Sequence, residues 1–273
     1  MTELLKTVMG RKSVRTFDGE PLSAEDRERL DQYIETIRNP FGIPVRFVLL
    51  DAKEHGLSSP VLSGETLYAA GITEKAPYAD VAFGYSFEKL VLYAWSLGIG
   101  TTWIGGTMKR ELFERAAGLA EGEMMPCVSP LGYPAKKRSI RETVMRRGVG
   151  ADSRMPAEKL FFSGAWERPL PAEKQAAYAD LTELVRWAPS AVNKQPWRII
   201  VSDGGCHFYE KRDKGYAGEK TGDLQKIDVG IALCHFAMGL DEAGKPYEIS
   251  AADPGIAVPD GVEYIATVTW EGA

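Results

Sequence analysis

Arg11-Lys12-Ser13-Val14-Arg15 places three cations and a hydroxyl within five residues. In an extended backbone alternate side chains point to opposite sides, so Arg11, Ser13 and Arg15 share one side and Lys12, Val14 and Thr16 the other. Two guanidiniums and a hydroxyl on one side can hold a phosphate or another anion through charge-assisted hydrogen bonds. The same residues would also serve as a solvated basic strand end. A second stretch with chemical potential is Ala188-Pro189-Ser190-Ala191-Val192-Asn193-Lys194-Gln195-Pro196-Trp197. Pro189 and Pro196 fix φ and remove backbone donors, which makes a shaped loop rather than helix or sheet. Ser190, Asn193 and Gln195 add side-chain donors and acceptors suited to the polar edge of a heterocycle. An Asx/Pro turn opening the strand Arg198-Ile199-Ile200-Val201 is the alternative reading.

Several elements must position these groups. Thr2 to Met9 has Leu4, Leu5 and Val8 on one helical face, with Gly10 as the expected C-cap. Pro21 to Glu25 starts a second helix, with Leu30, Ile34 and Ile37 on its buried side, and a strand follows at Val45 to Leu50. Residues 51–75 read as irregular. Asp80 to Leu97 reads as a helix apolar nearly all round, which belongs in a core or at a large interface. Gly98-Ile99-Gly100-Thr101-Thr102-Trp103-Ile104-Gly105-Gly106 forms a turn after it. A further helix is expected at Lys109 to Ala117, then a strand at Pro126 to Gly132. A basic segment follows, Lys136-Lys137-Arg138 through Arg141, Arg146 and Arg147 to Arg154; its expected setting is solvent or a phosphate rather than nucleic acid. Tyr264 to Trp270 is the last strand. His235 and Trp95 read as core residues.

Composition narrows the function classes. At 273 residues, with 44% hydrophobic and 26% charged content, the chain is that of a globular protein. A net charge of −5 gives no general pull toward nucleic acid or anionic membrane. The three cysteines lie far apart with no CxxC spacing, and the three histidines form no ligand cluster, so neither a disulfide framework nor a structural metal is expected. The N-terminus lacks the apolar run of a signal peptide, and no stretch reaches the ~20 apolar residues of a membrane span. The expectation is a cytoplasmic protein with no nucleic acid or membrane partner.

The second half repeats the first. Pro21 to Glu25 matches Pro169 to Glu173, and Glu35 and Arg38 match Glu183 and Arg186, all 148 positions on. Pro44 to Val48 matches Pro196 to Ile200 at 152, and Gly84 and Gly98 match Gly230 and Gly244 at 146. Ordered matches at nearly constant offset point to a tandem duplication of one α+β unit, with halves at 1–155 and 156–273, arranged as a pseudo-two-fold dimer. The halves differ in complementary ways. The first has only Asn39 to Ile43 where the second has Trp187 to Gln195, and Lys159 to Ser163 replaces the paired arginines.

These motifs resemble those of the FMN-dependent nitroreductase family, in the subgroup whose two nitroreductase-like halves are fused, and the resemblance covers nearly the whole chain. It implies a nitroreductase-like α+β fold with FMN where the two halves meet. Arg11 and Ser13 correspond to phosphate ligands, Lys12 to a neighbour of the ribityl chain, and Arg15 to a group near the pyrimidine edge of the flavin. Pro189, Ser190 and Asn193 correspond to the loop reaching the isoalloxazine from the opposing half, and Gly105 and Gly106 to the backbone facing N5. Arg154 resembles the late phosphate-binding arginine, with Arg138 the other candidate. The implied function is an oxidoreductase passing electrons from NAD(P)H to a nitroaromatic, quinone or similar flat acceptor. A flavin-binding carrier or sensor is the alternative. A single-chain pseudo-dimer, with higher oligomers open, is the expected assembly.

Overall fold

The computed structural model describes residues 1–271. Helix α1 (Glu3–Gly10) is capped by the Thr2 hydroxyl, which accepts from Leu5 N, and α2 (Ala24–Thr36) by Ser23, which accepts from Asp26 N. Gly10 is the last helical residue of α1 and Arg11 takes the cap in extended conformation, so the chain leaves the helix directly into the basic motif.

Strands β1 (Val45–Asp51) and β2 (Leu67–Glu74) pair antiparallel; after α3 (Ala79–Ser96) and α4 (Arg110–Ala116), β3 (Glu123–Met124) and β4 (Val128–Leu131) both join the free edge of β2. The segment expected to be irregular therefore contains β2, the centre of the first sheet. Its Tyr68-Ala69-Ala70-Gly71-Ile72 run shows no alternation because both faces are buried. A Cβ on Gly71 would sit 2.7 Å from the Phe83 ring and 2.8 Å from the Phe87 ring, so the glycine lets α3 lie close on the sheet.

Helix α5 (Ile140–Gly148) carries part of the basic segment. The second sheet runs β10 (Tyr247–Ser250), β11 (Val262–Trp270), β7 (Gly205–Lys211), β6 (Trp197–Ser202), β5 (Phe161–Ser163), with only the β5–β6 pairing parallel. Helices α6 (Ala172–Ala177) and α7 (Ala179–Arg186) precede the 188–197 loop. The small hairpin β8 (Ala217–Gly218) and β9 (Gly222–Asp223) leads into α8 (Leu224–Glu242), the second long buried helix. Among the described residues no helix is long and apolar enough to cross a membrane.

The centre of the molecule is the crossing of α3 and α8. A Cβ on Gly84 would meet the Ile227 carbonyl oxygen at 2.0 Å, and one on Gly230 would meet the Val81 oxygen at 2.2 Å. Each helix thus brings a glycine against the backbone of the other, one turn from the partner's own glycine. Beside the crossing, His235 of α8 is fully buried between the Leu184 carbonyl (Nδ1, 2.8 Å) and Glu88 of α3 (Nε2, 2.9 Å). A carbonyl only accepts, so Nδ1 carries a proton. The second Glu88 oxygen accepts from Trp103 Nε1 at 3.3 Å. His235 is thus the hydrogen-bonded core histidine its helix suggested, and its partner links the crossing to the turn after α3.

Gly84→Ala should lower folding stability by about 1–3 kcal/mol, the usual cost of overpacking, because the atom it strikes is backbone and cannot swing aside. Urea unfolding measures this. Gly148→Ala, where an added Cβ has open space, serves as the control; equal midpoints for both variants would contradict the crossing as described.

Candidate functional site

A cavity of about 390 Å³ opens where the two halves of the chain meet. Its walls combine Arg11, Ser13, Arg15, Thr102 to Thr107, Met145, Val149 and Arg154 from the first part with Pro189 to Asn193, Tyr216, Leu224, Ile227, Asp228 and Ile231 from the second. The basic motif is extended, pinned by Val14 N donating to the Thr101 carbonyl at 2.8 Å and Phe17 N to the Ser63 carbonyl at 2.8 Å. Val14 packs in the core, so its neighbours of the same parity turn away from the cavity. Arg11, Ser13 and Arg15 reach it, while Lys12 is exposed and lies outside the lining. Strand alternation accordingly separates Lys12 from the group with which the resemblance placed it.

Arg11 is buried, yet its Nε and Nη1 have no hydrogen-bond partner; Nε of Arg15 and of Arg154 are likewise buried and unpaired. Burial, offset by Glu88, pulls the Arg11 pKa down; burial, offset by Glu142, does the same for Arg15. Burial and then the charge of Arg11 bring Arg154 down to about 10. Buried, unpaired guanidinium nitrogens gathered at one cavity give that wall the chemistry of an anion site. The nearby carboxylates are committed elsewhere. Glu142 accepts from the Arg15 backbone N–H at 3.3 Å and from Thr16 Oγ1 at 2.9 Å, and Asp152 pairs with Arg146. Arg154 stacks 4.7 Å from the Trp187 ring centroid and donates to the Ala151 and Ser153 carbonyls, which fixes its orientation. Arg138 is outside the lining, half-exposed beside Glu142 at 3.5 Å. The structure therefore brings Arg154, not Arg138, to the cavity.

Gly105 and Gly106 form part of the wall. The Arg110 guanidinium clamps this turn, donating to the Gly105 carbonyl at 2.6 Å and to the Met125 and Pro126 carbonyls. Among the described residues, no atom beyond its own chain neighbours lies within 4 Å of where a Gly106 Cβ would stand, so the space beside it is open. The opposite wall is the 188–197 loop, a turn of 3-10 helix at Ala191–Asn193 with Val192, Asn193 and Gln195 at φ 44°, 60° and 51°. Positive φ is costly for β-branched Val192. Several hydrogen bonds hold it: Ser190 Oγ accepts from Gln195 N (2.9 Å), Gln195 Oε1 accepts from Met155 N (2.8 Å), and both Asp228 oxygens accept from Ala191 N (3.0 Å). The Asn193 amide donates to the Gly150 and Ser153 carbonyls, at 2.8 and 3.1 Å, so its NH₂ ties the loop to the first half. Pro189 and Ser190 line the cavity.

Sequence reasoning missed Arg110, Tyr216 and the α8 residues. Asp228 offered one signal: it is a carboxylate in the run from Ile227 to Leu240, whose only other ionisable side chains are Cys234 and His235. It is the only acidic residue in the lining among the described residues, and burial pushes its carboxyl well above the usual range against the donated Ala191 N–H. Cys127, its thiol also pushed up by burial, lines the cavity as a small apolar group. Behind Asp228, burial raises Glu210 to about 7 and Asp80 to about 6, with Asp223 between them as the N-cap of α8. The site thus has guanidinium donors for a phosphate, exposed backbone for a flat ring and apolar α8 side chains facing it. These features fit the FMN that the resemblance implies.

A family profile described as "Putative TM nitroreductase" matches residues 3–240. The fold is similar to a solved structure described as a "putative nitroreductase" from Thermotoga maritima MSB8, with a TM-score of 0.60 at 20% identity over 98% of this chain and 93% of that one. An FMN-dependent nitroreductase from Clostridium difficile R20291 matches 52% of this chain and 91% of its own at 15% identity and a TM-score of 0.42. The curated proteins contain no match.

Arg11→Ala should weaken binding of inorganic phosphate by about 1.5–3 kcal/mol, the range for a hydrogen bond to a charged group. Phosphate should also raise the melting temperature of the parent but not of Arg11→Ala with Arg154→Ala; an equal shift in both proteins would remove the anion assignment. The acidic groups behind Asp228 generate a second prediction. The folded-state pKa of Glu210 lies above its ordinary value of 4.5, so between pH 4.5 and about 7 the folded state binds more protons than the unfolded one. Stability therefore falls as pH rises through that window, with the loss complete above about 7. Glu210→Gln should flatten this slope and stabilise the protein at pH 8 by on the order of 1–2 kcal/mol. Chemical denaturation from pH 4.5 to 8 checks it; an unchanged slope would be the contrary result.

Proposed function

The chain belongs to the nitroreductase family, and on that premise we propose that it binds FMN in the cavity between its halves and passes electrons from NAD(P)H to a flat acceptor such as a nitroaromatic or quinone. The observation that carries this reading is the set of unpaired, buried guanidinium donors of Arg11, Arg15 and Arg154 around one cavity. In it, Arg11, Ser13 and Arg154 hold the phosphate, Arg15 lies at the pyrimidine edge, and Gly105 and Gly106 offer backbone to the ring. When bound, the flavin supplies the hydride and electron chemistry. The protein's part is to bind, orient and shield. Arg110 fixes the glycine turn, Asp228 and Gln195 fix the opposite loop, and Leu224, Ile227 and Ile231 present an apolar surface for a flat molecule.

We read the chain as a fused pseudo-dimer. The constant sequence offsets support this, as does the crossing, where Gly84 against Ile227 and Gly230 against Val81 are the same contact seen from either half. On this reading the mate of the site is degenerate. Phe161 and Phe162 of β5 are buried where the matching positions of the first half carry the basic motif. The short Asn39 to Ile43 turn is closed by the Asn39 amide donating to the Ile43 carbonyl at 2.6 Å.

One FMN per chain is expected. After reconstitution with excess FMN and desalting, flavin absorbance against amino-acid analysis should give a ratio near one, lost in Arg11→Ala with Ser13→Ala. Anaerobic NADPH should then bleach the bound flavin. A ratio near two refutes the asymmetry, a colourless protein refutes the cofactor, and a yellow protein that NADPH leaves unbleached leaves a carrier in place of an enzyme.

A further inference from the structure

Six large apolar side chains are exposed among the described residues, and four of them belong to α5, its C-cap and the loop at the cavity: Ile140 (85%), Val144 (63%), Val149 (37%) and Val192 (57%). Val149 and Val192 line the mouth of the cavity, joined through the Asn193 amide bound to the Gly150 carbonyl. Ile140 and Val144 stand one turn apart on α5. Helical geometry puts Arg141 and Arg147 on either side of that pair, and Glu142 and Arg146, both buried, on the opposite face. Residues 136–154 hold seven Lys and Arg against two acids in a chain whose net charge is −5. Arg146 and Arg154 turn inward. Among the described residues Lys136, Lys137 and Arg147 are exposed without an acidic partner, and Arg141 reaches only the Pro60 carbonyl.

We propose that this face docks onto an anionic lipid surface, with Ile140 and Val144 entering the headgroup boundary and Lys136, Lys137, Arg141 and Arg147 meeting lipid phosphates. Other occupants fit the chemistry less well. A second copy of the chain meeting this face about a two-fold axis would oppose cations to cations with no exposed carboxylate of α5 to offset them. Nucleic acid would satisfy the charges but leave an isoleucine and a valine projecting toward phosphates. An anionic bilayer answers both features, an apolar pair flanked by cations on a short surface helix. The sequence alone assigned this run to solvent or to a bound phosphate. The structure divides it into an inner face, directed at the cavity, and an outer face on which Lys136, Lys137, Ile140, Val144 and Arg147 are exposed. The inference stands on the outer face and does not depend on what the cavity holds.

The test is co-sedimentation of the full chain with extruded vesicles of pure phosphatidylcholine or of equal parts phosphatidylglycerol and phosphatidylcholine. Binding is expected only to the anionic vesicles and should fall as salt is raised. Ile140→Ser with Val144→Ser should weaken it by about tenfold or more, and Lys137→Glu with Arg147→Glu should abolish it. These side chains are exposed, so circular dichroism and thermal melting should match the parent and separate lost docking from lost folding. No binding to anionic vesicles, equal binding to neutral ones, or full binding by the serine variant would each overturn the proposal. So would a concentration-dependent dimer, seen by analytical ultracentrifugation, that the same substitutions dissolve.

Discussion

Two helices cross here with backbone against backbone, and much of the molecule depends on how closely they approach. The glycines at the crossing remove the side chains that would hold α3 and α8 apart, and the gain is dense contact along two long apolar helices. That spacing sets the Glu88–His235 bond beside it and, through Trp103, the path of the turn that forms one cavity wall. It also sets the position of Leu224, Ile227, Asp228 and Ile231, which start α8 and form another. Each sheet packs on its own side of this pair, so the site lies where both sheets can deliver loops without sharing a strand.

The polar interior follows a division of labour. Backbone groups and carboxylates near the cavity are paired with each other, and guanidinium groups are left over. Glu142 satisfies the backbone of Arg15 rather than its head group, Asp152 takes Arg146, and the loop amides of Asn193 and Gln195 bond to main chain. Leaving a buried guanidinium nitrogen unpaired is costly, and several of them around one cavity match what a bound anion would satisfy. The positive φ angles of the facing loop carry a similar meaning. The strain at Val192 is sustained by a set of bonds that fix the loop's shape before any ligand arrives.

Much of this was legible in the sequence, and the limits have physical causes. The basic motif and the proline-bounded loop were visible because extended alternation and fixed φ are local properties. The buried helices were visible because a helix apolar on every side must be covered on every side. β2 was not, since a central strand of Ala, Gly and Tyr lacks the alternation that a half-buried strand shows. The choice between Arg138 and Arg154 was undecidable locally, because both are arginines in one basic run and only the path of α5 turns one outward and one inward. Asn193 lines the cavity, and its NH₂ also closes the loop onto residues some 40 positions earlier, a pairing no window along the chain reveals. Arg110 escaped for the same reason, since its acceptors are carbonyls brought together by tertiary structure.

Both walls of the cavity belong to one polypeptide, with the cationic wall built before residue 155 and the loop wall after residue 188. Where such walls come from separate subunits, a site exists only to the extent that the subunits associate, and dilution dissolves it by mass action. Here closing the cavity is an intramolecular event whose effective concentration is set by the connecting chain and not by how much protein a cell makes. A substitution in either wall is therefore carried by the same polypeptide as the wall it faces.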